Sequence, residues 1–226
     1  MKNLTLFDLD HTLLPLDSDH AWGEFTTKIG WTDPVLFKQR NDAFFAQYKA
    51  GELKIADYVR FATQAMKEQG EAKSKAAHAQ FMASVIQPAI KKTATDLIAK
   101  HRAQGDEIII VTATNEFVTR PIATALGINE LIAVQLETDS TVGGTCWITG
   151  EIKGVPSAHE GKVTRVEAWL AAHQLSWGNV HTTFYTDSYN DIALLEKVNV
   201  PIATNPDARL RAVAQARGWQ ILELFS

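Results

Sequence analysis

The stretch that decides the fold is FDLDHTLL, residues 7–14, which ends the short apolar run of residues 4–7. Such a run is typical of a buried strand in a parallel sheet, and Asp8 and Asp10 stand where that strand would end. Two carboxylates at i and i+2 after a strand can converge on one substrate, one as a nucleophile and the other as a proton donor and acceptor. We therefore interpret Asp8 and Asp10 as catalytic, against the alternative of a strand that ends in solvated acids.

Further apolar runs alternate with helical patterns along most of the chain. The strand-like runs are 107–112, 131–135, 182–186, 200–203 and 220–224, and the helical patterns are 117–126, 163–172, 191–197 and 208–216. This alternation predicts an α/β fold with a parallel sheet that helices cover on both faces. Ligands of such sheets bind at the carboxyl ends of the strands, so the polar residues just after each strand carry the functional information.

Residues 15–88 break the alternation, because they show helical periodicity and no convincing strand. Within them Ile55, Tyr58, Val59 and Met66 follow the spacing of one buried helix face. We predict an all-helical cap domain at 15–88, inserted into a core formed by 1–14 and 89–226. The alternative is that these helices only pack on the core. A second irregular stretch, 141–147, contains Gly-Gly between β-type residues and predicts a hairpin.

A second acidic cluster, YTDSYND at residues 185–191, follows a later strand. Carboxylates at separate strand tips can share one Mg²⁺ ion, which prefers hard oxygen ligands. From the residues alone, this cluster and the acid pair after the first strand are candidates for one shared metal site. On its own, the same stretch could be a helix N-cap.

Two further segments are candidates for binding phosphate. Thr112 and Asn115, in TATN at 112–115, follow the Ile-rich strand and precede a helix, where hydroxyls and amide N–H groups can hold an anion. Lys162 lies near the start of another helix pattern. Taken alone, these residues could equally be ordinary helix caps and a surface lysine.

Composition limits the classes of function. The 226 residues carry 22 Lys+Arg and 26 Asp+Glu, a net charge of −4, and 46% are hydrophobic. A mildly acidic protein lacks the basic surface that nucleic acids and anionic membranes require, and no apolar run reaches the length that spans a bilayer. The single cysteine, Cys146, cannot form an internal disulfide, so we expect a cytoplasmic protein. Its oligomeric state is not predicted.

Taken in order, the acid pair, the Thr after a strand, the Lys and the second acid pair resemble the haloacid dehalogenase (HAD)-like phosphatases. The resemblance covers nearly the whole chain, and it implies a Rossmann-like parallel core. The helical insertion directly after the first motif is similar to subclass IB, the branch that contains the phosphoserine phosphatases.

The resemblance also implies a mechanism. Asp8 would attack phosphorus and become an aspartyl-phosphate, and Asp10 would protonate the leaving alcohol and then activate water. The Asp8 side chain, the Asp10 carbonyl and Asp187 would hold Mg²⁺. The remaining roles would be those of Asp191, which would support the metal site and Lys162, and of the phosphate-binding residues Thr112, Lys162 and Asn115.

The substrate is expected to be a small phosphomonoester. Where phosphoserine phosphatases have Ser-Gly-Gly and a carboxylate-binding arginine, this chain has TAT at 112–114 and Ala62. The segments 112–115 and 17–20 look more like bacterial histidinol-phosphate phosphatases, so histidinol phosphate is slightly favoured over phosphoserine. Asp17 and Asp19 would bind an amine, and Trp22 would stack on an imidazole unless it belongs to the core of the cap. His11 and His20 flank this region without an assigned role.

Two alternatives remain open from the sequence. One is a phosphotransferase or mutase of the same family, which would keep water away from the aspartyl-phosphate. The other is a catalytically silent phosphate-binding regulatory protein. A signalling receiver module also uses acids, Mg²⁺, Thr and Lys, but it carries its phosphorylated Asp after a middle strand rather than the first.

Overall fold

The computed structural model describes residues 2–139 and 146–225 of the chain. Its strands, in chain order, are β1 (Lys2–Phe7), β2 (Glu107–Asn115), β3 (Glu130–Val134), β4 (Leu136–Asp139), β5 (Trp147–Ile152), β6 (Val180–Thr186), β7 (Val200–Thr204) and β8 (Gln220–Leu222). Six of them form one sheet in the order β3-β2-β1-β6-β7-β8, and each neighbouring pair is parallel. The predicted α/β fold with a parallel Rossmann-like core is therefore confirmed. The strand predicted over 107–112 extends to Asn115, and the one predicted over 220–224 ends at Leu222.

Helices cover both faces of this sheet. They are α1 (Ser18–Lys28), α2 (Pro34–Ala50), α3 (Ile55–Gln69), α4 (Glu71–Phe81), α5 (Gln87–Ala89), α6 (Lys92–Ala103), α7 (Glu116–Ala125), α8 (Glu160–Ala172), α9 (Ile192–Leu195) and α10 (Ala208–Arg217). A π-helical turn, Met82–Ile86, joins α4 to α5, and a 3-10 turn, Tyr189–Asp191, precedes α9.

Side chains of the central strands alternate between two cores, as the period of two in a strand requires. Leu6 and Phe184 face one side and pack with Val166 of α8 and Leu210 of α10. Phe7 points to the opposite side, into the core that also includes residues of α1, α4, α6 and α7. Both Leu6 and Phe7 have no exposed surface, which explains why β1 is apolar up to its end.

The helices α1–α5 follow β1 directly, and their ends are specified by the local sequence. Asp33 caps the start of α2 by accepting hydrogen bonds from two main-chain N–H groups, and Pro34 occupies the first helical turn. Gly51 ends α2 in the left-handed conformation, with φ of 74°, which glycine adopts without a steric penalty. The stretch predicted to contain no strand therefore contains helices.

The antiparallel pair β4–β5 packs beneath α3. Arg60 of α3 makes two hydrogen bonds with the Glu151 carboxylate of β5, at 2.8 and 2.9 Å, and the Trp147 indole N–H donates to the carbonyl of Met66 at 2.9 Å. The pair is consistent with the predicted hairpin, but the Gly-Gly turn itself falls in residues 140–145, outside the described residues. Within the described ranges, no helix is both long and apolar enough to cross a membrane.

Candidate active site

The carboxyl ends of β1, β2 and β6 meet at one edge of the sheet and bring the predicted motifs together. Phe7 is paired with Ile110 of β2 and with Tyr185 of β6. The Asp8 N–H continues the ladder by donating to the Tyr185 carbonyl at 2.9 Å. Thr112 follows Ile110 by two residues, and Asp187 follows Tyr185 by two. Asp8, Thr112 and Asp187, which are at least 75 positions apart in the sequence, therefore come to the same edge of the sheet.

Lys162 lies beneath this edge, and it is not a surface lysine, because only 2% of it is exposed. Its Nζ donates to Asp8 Oδ1 at 2.7 Å and to Asp191 Oδ2 at 2.6 Å. Burial alone would lower the pKa of Lys162, but the two carboxylates outweigh it and raise that pKa above its usual range. Lys162 therefore stays charged and holds two acids in fixed positions.

The loop before α8 fixes Lys162 relative to the phosphate-binding candidates. Gly161 lies so close to this loop that a Cβ atom there would be 2.0 Å from the Pro156 carbonyl oxygen. The buried Ser157 hydroxyl donates to the Thr112 carbonyl at 2.6 Å. The start of α8 is thus packed directly against the end of β2.

Asp8 is surrounded by partners that define both of its oxygens. Lys162 contacts Oδ1, and the Thr12 hydroxyl donates to Oδ2 at 3.2 Å. Thr12 in turn accepts a hydrogen bond from the Asp187 N–H at 3.1 Å, which ties the first motif to the second. Burial, with repulsion from Asp191, raises the pKa of Asp8 to about 6, although Lys162 opposes that rise.

Asp10 is held by two different donors. The Ser18 N–H, at the start of α1, donates to Oδ1 and the Thr114 hydroxyl donates to Oδ2, each at 2.8 Å. Burial, followed by repulsion from Asp17 and Asp8, raises the pKa of Asp10 well above its usual range. Asp8 and Asp10 therefore occupy different surroundings, as separate roles in catalysis require.

The two threonines and the asparagine of the TATN segment differ in whether their side chains face the pocket. Thr112 lines the pocket, and its hydroxyl accepts a hydrogen bond from the Thr114 N–H at 3.1 Å. Asn115 is not among the pocket-lining residues, because both ends of its amide are engaged. Its Oδ1 caps α7 by accepting from the Val118 N–H, and its Nδ2 donates to Asp19 Oδ1 at 3.2 Å. The structure thus does not bring the Asn115 side chain to the phosphate-binding position.

An open pocket of about 930 Å³, including its mouth, lies between this edge and helices α1–α3. The lining includes the predicted residues Asp8, Asp10, Asp17, Asp19, Thr112, Lys162, Asp187 and Asp191, together with His11 and His20. Among the described side chains of the lining, Lys162 is the only lysine or arginine. Arg60, two residues before Ala62, pairs with Glu151 and does not line the pocket.

The two cap acids lie near the start of α1. Asp17 accepts a hydrogen bond from the His20 N–H and so caps α1. Asp19 is buried, receives hydrogen bonds from Tyr58 and Asn115, and has its pKa raised to about 7 by burial and by repulsion from Asp17. These contacts join α1, α3 and the start of α7 at one carboxylate.

Trp22 is the substrate candidate that the structure places elsewhere. Only 1% of Trp22 is exposed, and its ring packs against Phe25, Phe81 and His78. It belongs to the aromatic core between α1 and α4 and does not line the pocket. The large apolar surface of Trp22 is used for packing, which is the alternative that the sequence analysis gave for this residue.

Several contacts were not predicted from the sequence. Thr12, Thr114 and Ser157 bond to the predicted residues, and Tyr48 of α2 donates to the Ser188 hydroxyl at 3.2 Å. Thr12 and Thr114 stand inside the recognised motifs, so their position was a usable signal. Ser157 and Tyr48 are brought in only by the tertiary fold.

Comparisons with known proteins agree with this geometry. The family model of the haloacid dehalogenase-like hydrolases matches residues 5–196. A histidinol-phosphatase of Neisseria meningitidis serogroup C (strain 8013) is 39% identical over 225 residues, which cover 98% of this chain and 99% of that protein. The phosphoserine phosphatase SerB1 of Mycobacterium tuberculosis (strain ATCC 25618 / H37Rv) is 33% identical over 126 residues, 56% of this chain and 39% of that protein.

Two solved structures extend the comparison. A protein of unknown function from Bordetella pertussis Tohama I superimposes with a TM-score of 0.91 at 45% identity, with full coverage of both chains. A substrate-bound phosphoserine phosphatase superimposes with a TM-score of 0.66 over 99% of this chain and 93% of that one; at 16% identity it supports the fold alone. From the family match and the relatives, the chain belongs to the haloacid dehalogenase-like hydrolase family, and within it is a phosphoric monoester hydrolase.

Proposed function

We propose that this protein hydrolyses a small-metabolite phosphate monoester in two steps, through an aspartyl-phosphate on Asp8 and with Mg²⁺ as its cofactor. The observation that carries the proposal is the convergence of Asp8, Asp10, Thr112 and Lys162 at one end of the pocket. These residues provide a nucleophile, an acid–base group and two phosphate-binding groups within one cleft.

The residues fit a magnesium ion by their chemistry and their charge. Burial raises the pKa of Asp8 and of Asp187, repulsion from Asp191 adds to the rise at both, and Lys162 opposes it. A further cation would therefore stabilise the charged form of both carboxylates. In the described part of the chain, no three side chains of His, Cys, Asp or Glu form a metal-binding group. As the family resemblance implies, the ligands from the protein would be the carboxylates of Asp8 and Asp187 and the main-chain carbonyl of Asp10, a set that needs only two acidic side chains. A bound Mg²⁺ supplies Lewis-acid stabilisation of the phosphoryl oxygens.

In the first step, an Asp8 oxygen forms a bond to phosphorus as the bond to the leaving alcohol breaks. The protonated Asp10 carboxyl, held by Ser18 and Thr114, gives its proton to the leaving alkoxide oxygen, which departs as the alcohol. Lys162 and Thr112 bind non-bridging oxygens, where the transition state concentrates negative charge. In the second step, Asp10 takes a proton from water as the water oxygen attacks phosphorus, which releases inorganic phosphate and restores the Asp8 carboxylate.

We further propose that residues 15–88 act as a cap that recognises the leaving group and excludes water. Asp17 and, in its ionised form, Asp19 add negative charge to the cap side of the pocket, and Lys162, the only lysine or arginine of the described lining, is paired with Asp8 and Asp191 instead. This charge favours a substrate with a cationic nitrogen and disfavours one with a carboxylate. Histidinol phosphate is thus favoured over phosphoserine. The cytoplasmic location predicted from the single cysteine stays a prediction.

The experiment is phosphate release from histidinol phosphate, phosphoserine, sugar phosphates and a chromogenic aryl phosphate, with Mg²⁺ and after chelation. Chelation should abolish turnover and added Mg²⁺ should restore it. Asp8→Asn should lower turnover at least a thousandfold without unfolding the protein. Asp96→Asn, on the exposed face of α6, is the matched control and should keep full turnover. Appreciable turnover by Asp8→Asn would eliminate Asp8 as the nucleophile. A folded protein that is silent on every ester would instead favour the mutase or the phosphate-binding alternative.

A further inference from the structure

Helix α2 presents one face to the pocket along two full turns. Asn41, Phe44, Phe45 and Tyr48 all line the pocket, and their spacing of i, i+3, i+4 and i+7 places them on one side of the helix. The two ends of this face are polar and its middle is aromatic. The pocket therefore extends along α2 for about two turns.

The Tyr48 end of this face lies over the reacting groups. Its hydroxyl donates to Ser188, which follows Asp187, and the Asn190 amide donates to the Tyr48 carbonyl at 3.2 Å. Burial raises the pKa of Tyr48, as do the charges of Asp191, Asp187 and Asp8, which must therefore be near. This contact fixes the end of the pocket at which phosphate is expected.

The opposite end is formed by Asn41, which is the one buried residue of α2 among those whose burial is described. Only 6% of Asn41 is exposed, yet its carboxamide has no hydrogen-bond partner among the described residues. A buried amide without a partner is costly, and most buried amides have one. The Asn41 amide atoms are not fully enclosed and keep a small exposed surface. Asn41 lines two cavities, this pocket and an outer groove between α1 and α2, and the exposed surface opens to them.

The distance between the two ends sets the length of the ligand. Seven residues of α-helix separate Asn41 from Tyr48, which corresponds to about 10 Å along the axis. Aromatic side chains and Leu53 and Ile55 line the space between. A leaving group that reaches Asn41 must thus be several bonds longer than an aminoethyl chain.

We propose that Asn41 determines substrate specificity by hydrogen bonding, through its carboxamide, to a planar nitrogen heterocycle at the far end of the leaving group. A carboxamide offers both a donor and an acceptor, which matches a neutral heterocycle with one N–H and one unprotonated nitrogen. This inference rests on the proposed function, and it adds a residue that reads the part of the substrate farthest from phosphate.

The test compares two substrates in three proteins. Histidinol phosphate has the heterocycle, and phosphoethanolamine keeps the amine and the phosphate but lacks it. In Asn41→Leu, KM for histidinol phosphate should rise about tenfold with kcat within threefold, while kcat/KM for phosphoethanolamine stays within threefold. Gln47→Leu, which places the same side chain on the exposed face of α2, should change neither.

Each outcome decides a different question. If the wild type hydrolyses no phosphomonoester, the proposed function fails. If the wild type is active but Asn41→Leu lowers kcat/KM equally for both substrates, or for neither, the role of Asn41 is refuted and the proposed function stands. Leucine removes an unpaired polar group from a buried site, so the variant is expected to fold. Should it not, Asn41→Ala provides the same comparison of the two substrates.

Discussion

The contact at Gly161 makes a quantitative prediction about how Lys162 is positioned. A Cβ atom at residue 161 would lie 2.0 Å from the Pro156 oxygen, whereas contacts under 3.0 Å are essentially never observed, so Gly161→Ala must shift the loop or α8 by about 1 Å. Such overpacking costs about 1–3 kcal/mol of the free energy of unfolding. A displacement of about 1 Å among groups that position a substrate can lower the rate about a hundredfold. Gly161→Ala should therefore lose both stability and kcat.

The assays are urea unfolding and phosphate release, with Gly178→Ala as the matched control. At Gly178, the nearest atom to an added Cβ is the Ser176 hydroxyl oxygen at 3.8 Å, which is ordinary van der Waals contact. Gly178→Ala should thus be neutral or slightly stabilising and fully active. If Gly161→Ala matched this control in both assays, the close packing of Pro156 on α8 would not be what positions Lys162.

The other predictions concern Asp19 and Asp10, two of the pocket-lining acids whose pKa is raised. Burial raises the pKa of Asp19 from 3.8 to about 7, so this acid contributes less stability as the pH rises between those values. Asp19→Asn should therefore raise the free energy of unfolding by about 2–4 kcal/mol at pH 8 and by clearly less at pH 4, as urea titrations at both pH values would reveal; equal changes would contradict the burial argument. Asp10 must be protonated to act as the acid, so the wild-type rate should fall as the pH rises through its raised pKa. Asp10→Asn should lower kcat about a hundredfold or more and remove that limb of the pH–rate profile, whereas an unchanged profile would exclude Asp10.

The sheet was predictable because its signals are local. Apolar runs with polar ends mark strands, and the alternation with helices implies a parallel arrangement, so β1, β2 and β6 could be recognised from the sequence. Because parallel strands end at the same edge, Asp8, Thr112 and Asp187 could be expected at one edge of the sheet, but the strand order that makes β1, β2 and β6 neighbours is seen only in the structure. Lys162 could be placed through the family resemblance, but its burial could not be deduced from a position near a helix start.

What could not be predicted depends on which face of an element a side chain occupies after packing. Trp22 lies in a segment next to the pocket acids, but its size makes it a core residue of α1 and α4. Asn115 has the right residue type for a phosphate ligand, yet capping α7 and bonding to Asp19 engage both ends of its amide. Asn41 belongs to no recognisable motif, and the lack of a described hydrogen-bond partner for its amide becomes visible only when α2 has been placed over the pocket.

The central place of β1 in the sheet has a consequence for synthesis of the protein. β1 is made first, but one of its two neighbours, β6, begins at Val180. At about 5–20 residues per second, a ribosome needs roughly 10–40 seconds to supply that partner. During this interval the apolar edge of β1 is open to pairing with other chains, which makes it a site for chaperone protection. Asp8 also lacks the Tyr185 carbonyl that anchors it, so the nascent enzyme becomes competent only after residue 185 has emerged.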